Sequence, residues 1–160
     1  RGKPQIEEGE PAGTAPYASD YAAGCAVMLR GSALEAAGGF DESFFLYWED
    51  VDLCFRMKAH GFGTMMVPVA RVKHAISATT GHDSPMTLYY ITRNKLMFFH
   101  RHAPDRQTRF RLLARIALSR GARGISLSLR GRGSEGRAYL RGIFDGLRRR
   151  GGIRGEFHAQ

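Results

Sequence analysis

Apolar and polar positions change period several times along the chain, and each change marks an element. Residues 1–19 carry no apolar period and read as a polar lead-in. "YAAGCAVMLR" (21–30) is a small-residue apolar run that predicts a buried strand, with Ala22, Gly24 and Ala26 leaving room for a close approach to the backbone. "GSALEAAGGF" predicts a short helix with Ser32 as N-cap and Gly38-Gly39 as stop. A second helix is predicted from about Glu49, with Leu53, Cys54 and Met57 at helical spacing and Gly61 in the terminator position. "FGTMMVPVARVKH" (62–74) predicts a strand interrupted at Pro68, hence near an edge or bulge. Residues 84–102 predict a well-buried helix, capped by Ser84, opened by Pro85 and closed by Pro104, with Leu88, Ile91, Leu96, Phe98 and Phe99 on more than one face. Two amphipathic basic segments follow. The first (105–120) carries Phe110, Leu113, Ile116 and Ala117 on one side, and the second (134–150) carries Tyr139, Leu140, Ile143, Phe144 and Leu147. The Gly/Arg/Ser-rich "GARGISLSLRGRG" between them reads as a flexible linker.

Charge divides this series. Residues 1–100 hold 9 Lys or Arg against 11 Asp or Glu, a balance of −2, whereas residues 101–160 hold 15 against 4, a balance of +11, and all 15 are arginine. An enzyme-like core followed by an anion-seeking appendage is the expectation. The predicted domains are a polar lead-in (1–19), a catalytic part (20–104) and an Arg-rich amphipathic helical tail (105–160). The length of 160 residues and 43% hydrophobic content suit one core. No apolar run is long enough to span a bilayer, and no signal-peptide pattern is present. Cys25 and Cys54 have no ligand spacing, which predicts reduced, buried thiols in a cytosolic protein.

Candidate chemistry lies in "FFLYWEDVDLCFRMKAHGF" (44–62), where Glu49, Asp50 and Asp52 follow a run of aromatics. One reading is structural. Acids crowd the first turn of a helix and Arg56, Lys58 and His60 its last, as the helix dipole favours, and Asp52 and Arg56 stand at i, i+4. The other reading is catalytic. Phe44, Phe45, Tyr47 and Trp48 would desolvate a carboxylate and raise its basicity, which suits a general base.

In order, GGFDE, the FF-Y-ED-D-C-R series, "VPVARVKH" and "YYITRNKL" resemble the second half of a bacterial family-2 glycosyltransferase with the A-type fold. Its rhamnosyltransferase-like and galactofuranosyltransferase-like members are the most similar. The resemblance spans about residues 20–100. It implies an α/β fold in which the acceptor-side part, a mixed sheet flanked by helices, precedes basic amphipathic C-terminal helices, with the N-terminal nucleotide-binding half missing. The implied activity is inverting transfer of a sugar from a nucleotide-sugar donor to an acceptor hydroxyl, in cell-surface polysaccharide or glycolipid assembly. Asp50 would be the general base, with Glu49 orienting acceptor hydroxyls and Asp52 either assisting or purely structural beside Arg56. Trp48 and Tyr47 would form an acceptor-binding platform or pack in the core. His74 would contribute to a divalent metal site (Mg²⁺ or Mn²⁺). Arg93 would reach the donor diphosphate or serve as a buried arginine pairing with the Asp50 helix.

One departure from the family pattern shapes the expectation. No Asp-x-Asp lies upstream of residue 20, and no Gly-rich phosphate loop replaces it. Together with Arg1 in place of Met, this predicts a piece of a longer protein that carries the base without the donor cradle, is catalytically silent alone, and draws most metal ligands from the missing half. The expected partners are the nucleotide-sugar donor, a saccharide or lipid-linked saccharide acceptor, and an anionic membrane surface met by the tail at the inner face of the cell membrane. The alternative is a basic nucleic-acid-binding or membrane-surface module without catalysis. Nucleic acid is not expected, because the arginines lack interleaved aromatics for base stacking.

Overall fold

Left-handed terminators set several of the element ends. The computed structural model describes residues 13–73 and 84–155, which form β1 (Tyr17–Ser19), α1 (Gly31–Ala37), α2 (Glu49–Ala59), β2 (Thr64–Met66), α3 (Pro85–His102), α4 (Arg106–Leu129) and α5 (Gly133–Leu147). Helix α1 stops where Gly38 adopts φ 76°, a conformation only glycine enters without strain. Helix α2 stops at Gly61, whose N–H bonds Lys58 O while the Phe62 N–H bonds Met57 O, the paired closure of a Schellman turn. Ser84 caps α3 as predicted, accepting the Thr87 N–H, with Pro85 in the first turn. The Ser32 cap is corrected: α1 begins two residues earlier, at Gly31, and Arg30, extended at φ −73° and ψ 127°, occupies the cap without a side-chain bond.

The described residues separate into two units, one of 13–41 with 49–73 and the other of 42–48 with 84–155. In the first, β1 and β2 form an antiparallel pair in the register Tyr17–Met66, Ala18–Met65 and Ser19–Thr64. The core consists of Ala33, Ala37, Leu53 and Met57, with Leu29, Leu34 and Phe62 against it. Two strand expectations change. Residues 21–30 form no strand and are largely exposed, and β2 covers only three residues before the turn around Pro68. An apolar run predicts burial, but a strand exists only where a second backbone completes its ladder. The fold among the described residues is thus helical with a small two-stranded sheet.

The second unit is built on α3, α4 and α5. Leu88, Tyr89, Tyr90, Leu127, Ala138 and Tyr139 form its core, with Leu46, Tyr47 and Met86 packed against it. The predicted linker is corrected: α4 continues to Leu129 and stops at Gly131, with φ 80°. The reason is tertiary. A Cβ on Gly124 would lie 3.0 Å from Tyr139 Cβ and 3.2 Å from Gly136 O, so that glycine serves the close crossing of α4 and α5. Helix α5 meets α3 in the same way, because a Cβ on Gly142 would lie 2.8 Å from Tyr89 O and one on Gly146 2.8 Å from Arg93 O.

The backbone carbonyls of α3 cannot withdraw from an added methyl group. Gly142→Ala should therefore lower the unfolding free energy by about 1–3 kcal/mol. Gly133→Ala, where the nearest atom is the flexible end of Arg137 at 3.6 Å, should be nearly neutral. Urea midpoints of the two variants check this, and equal midpoints would contradict the packing.

Candidate active site

Three acids within four residues of α2 occupy three different environments. Asp52 is fully buried and accepts a 2.7 Å bond from Arg56 Nε. The same guanidinium donates to Ala37 O and, at 2.8 Å, to Gly39 O, so the pair ties α2 to the carbonyl end of α1. The carboxylate is fully buried and the guanidinium partly so, and removing Arg56 would leave a buried charge without its partner. Asp52 thus forms the pair with Arg56 that the i, i+4 spacing predicts.

Asp50 is half-buried and held from two sides. Its Oδ2 accepts the Gly24 N–H at 2.9 Å and its Oδ1 the Val51 N–H at 2.8 Å. One turn further, Cys54 Sγ accepts the Ala22 N–H at 3.4 Å. The chain turns directly after Ala22, with the Ala26 N–H bonding Ala23 O at 3.2 Å. The N–H groups of Ala22 and Gly24 thus go to side chains one turn apart on α2 instead of a strand ladder. The close approach expected at Gly24 is made by the Asp50 carboxylate.

Glu49 differs again. Burial pushes its carboxyl above the ordinary value and the Asp50 charge adds to this, against a lowering contribution from a backbone hydrogen bond. Its Oε2 is buried with no hydrogen-bond partner among the described residues. Of the three, Asp50 alone combines a fixed orientation with an environment that neither buries it fully nor engages it in an ion pair.

Arg93, Tyr47 and Trp48 lie in the second unit. Arg93 is fully buried, with Nη1 donating to Gly152 O at 2.5 Å, Nη2 to Phe44 O and Ser43 O at 2.9 and 3.1 Å, and Nε to Asn94 Oδ1 at 2.8 Å. Its guanidinium also faces the Tyr90 ring at 4.7 Å. The guanidinium expected at a donor diphosphate is thus engaged by internal carbonyls. Those carbonyls belong to residues 43, 44 and 152. Tyr47 places its hydroxyl 3.4 Å from Thr87 Oγ1, and Trp48 packs on Phe98 and Phe99 at 5.2 and 6.0 Å, so both are half-buried packing residues against α3. His74 lies outside the described residues. Among those described, no group of three His, Cys, Asp or Glu side chains is placed to hold a metal ion. The thiol expectation holds for buried Cys54 and is corrected for Cys25, which is exposed.

Sequence reasoning passed over two residues. Asn94 donates to Phe44 O, Leu46 O and Tyr47 O at 2.7–2.8 Å. Asp145, fully buried, accepts the Tyr89 hydroxyl at 2.9 Å beside Arg141 and Arg154 at 3.3 and 3.6 Å. The Asn94 acceptors lie 47–50 residues away, and although Arg141 stands at i, i+4 to Asp145, the Tyr89 hydroxyl that it accepts lies 56 residues away.

The Glu49 shift makes a prediction with a defined sign. A carboxyl raised in the folded state is stabilising while protonated, and that contribution is lost as pH rises through its folded value. Glu49→Gln removes the loss, so it should gain Tm relative to the parent above that titration, and the gain should vanish at pH below 4.5, the ordinary value. Thermal melts of both proteins across pH check it, and a pH-independent difference would contradict the burial.

A family model described as "Glycosyltransferase like family 2" matches residues 14–96, just over half of the chain. An N-acetylglucosaminyl-diphospho-decaprenol L-rhamnosyltransferase of Mycobacterium tuberculosis is 41% identical over 63 residues, 39% of this chain and 20% of that protein. Rhamnosyltransferase WbbL of Escherichia coli K12 is 36% identical over 55 residues, 34% of this chain and 21% of that protein. The match thus spans about a fifth of the length of these relatives. No solved structure matches. The matched segment contains the GGFDE stretch, the aromatic–acid series with Asp50 and the Arg93–Asn94 pair, and the chain belongs to the family-2 glycosyltransferases, as a rhamnosyltransferase-like member.

Proposed function

We propose that this chain supplies the acceptor side and general base of an enzyme that transfers a sugar from a nucleotide-sugar donor to an acceptor hydroxyl with inversion. The observation that carries the reading is the Asp50 carboxylate, held by the Gly24 and Val51 N–H groups at the start of α2. A sugar hydroxyl is a weak nucleophile until its proton has an acceptor. Asp50 takes that proton as the hydroxyl oxygen bonds the anomeric carbon. The bond from that carbon to the diphosphate oxygen breaks on the opposite face, and its electron pair leaves with the nucleoside diphosphate. One displacement inverts the centre.

The mycobacterial relative is named for a saccharide on a lipid diphosphate. A lipid-linked saccharide is accordingly the acceptor we propose here, within cell-surface polysaccharide assembly. Family-2 enzymes generally use a divalent metal. The described residues do not fit such a site, and no step here passes through one.

The test is made in the protein at its natural length. Asp50→Asn keeps the side-chain shape, so it should fold and bind donor nearly as the parent does while kcat falls by about 10²–10⁴. Glu49→Gln should be much milder, and Asp52→Asn should lose activity only as far as it loses folded protein. Near-parental turnover by Asp50→Asn would remove the assignment.

A further inference from the structure

Helix α4 is apolar on two sides. Inward it buries Ile116, Gly124 and Leu127. Outward it exposes Phe110 at 73%, Leu118 at 74%, Ile125 at 55% and Leu129 at 83%. At 3.6 residues per turn these four fall within a sector of about 100°, over a length of roughly 28 Å. The sequence stripe of Phe110, Leu113, Ile116 and Ala117 mixed these two sides, since Ile116 belongs to the inner one. Arg106 borders one edge of the outer stripe, Arg111 and Arg115 the other, and all three are exposed. We propose that this outer face of α4 is a docking surface for an anionic lipid bilayer, the aliphatic stripe entering the headgroup boundary and the arginines meeting lipid phosphates.

Charge selects the occupant. Residues 101–160 hold 15 arginines against 4 acids. Of those acids, Asp145 is buried among arginines, Asp105 is taken up capping α4, and Glu135 is bonded to Arg132 and Ser134. Crowding by Arg120 and Arg115 also adds to the burial that lowers the Lys95 ammonium, so the surroundings of α4 are cationic enough to disfavour one more positive group. A second copy of the chain would bring like charge against like charge. Nucleic acid would satisfy the arginines but leave Leu118, Ile125 and Leu129 with nothing to stack on. A negatively charged lipid surface accepts both features. No helix among the described residues is long and apolar enough to cross a membrane, so α4 lies on the surface. The inference stands apart from the role of Asp50.

The test is co-sedimentation of the full chain with vesicles of phosphatidylglycerol and phosphatidylcholine, against phosphatidylcholine alone. Binding should require the anionic lipid and weaken as salt rises. Leu118→Ser with Leu129→Ser should reduce it at least tenfold with an unchanged circular dichroism spectrum. Leu129→Gln, at a site 83% exposed, should reduce it severalfold and covers the case in which the double variant misfolds. Arg111→Gln with Arg115→Gln should reduce it and flatten the salt dependence. Parental binding by the apolar-face variants would overturn the proposal. So would binding to RNA in preference to vesicles, or lipid-free self-association abolished by the same variants.

Discussion

A buried guanidinium beside a buried amide holds the helical unit at its most demanding point. The segment 43–48 places Phe45, Tyr47 and Trp48 at φ 60°, 65° and 72°, conformations that bulky residues resist by about 1–3 kcal/mol each. The carbonyls of residues 43, 44, 46 and 47 accept bonds from Arg93 and Asn94, and charge-assisted bonds of this kind are stronger than neutral ones. Arg93 also binds Gly152 O, so one side chain joins α3, an early loop and the segment after α5. Removing Asn94 would take a donor from the Leu46 and Tyr47 carbonyls, and removing Arg93 one from the Gly152 carbonyl. A buried acceptor left without its donor costs more than the bond itself contributes.

The same unit shows why arginine abundance is a poor guide to arginine use. Asp145 sits fully buried between Gly142 and Gly146, the two positions at which α5 presses on the α3 backbone. The approach that the glycines allow brings Tyr89 within bonding distance of its carboxylate. Arg141 and Arg154 then serve an internal anion, while Arg106, Arg111 and Arg115 remain at the surface. Composition counts all of these alike.

In the smaller unit, the division of labour among three neighbouring acids follows from what each can reach. Asp52 faces Arg56 one turn away and is consumed by it. Asp50 faces the chain at Gly24 and is oriented by it, whereas Glu49 is partly buried and its Oε2 has no hydrogen-bond partner among the described residues. Orientation with partial exposure is what a base needs, and burial within an ion pair is what a structural carboxylate needs.

Features decided within one or two helical turns were legible in the sequence. The Ser84 cap and Pro85, the Gly38 and Gly61 stops and the Asp52–Arg56 pair all depend on residues a few positions apart, and the structure forms them as read. The ordered motifs also carried the family, because residue order survives without coordinates. Tertiary structure decided the rest. Whether 21–30 becomes a strand depended on a partner backbone, and its N–H groups at Ala22 and Gly24 found α2 side chains instead. Gly121 and Gly124 read as linker because flexibility and close packing use the same residue, and only the crossing of α5 over Gly124 distinguishes them. Arg93 looked equally suited to a phosphate or to a core. Its partners at 43, 44 and 152 lie some 49–59 residues away, beyond any local period, and only folding could bring their carbonyls to it.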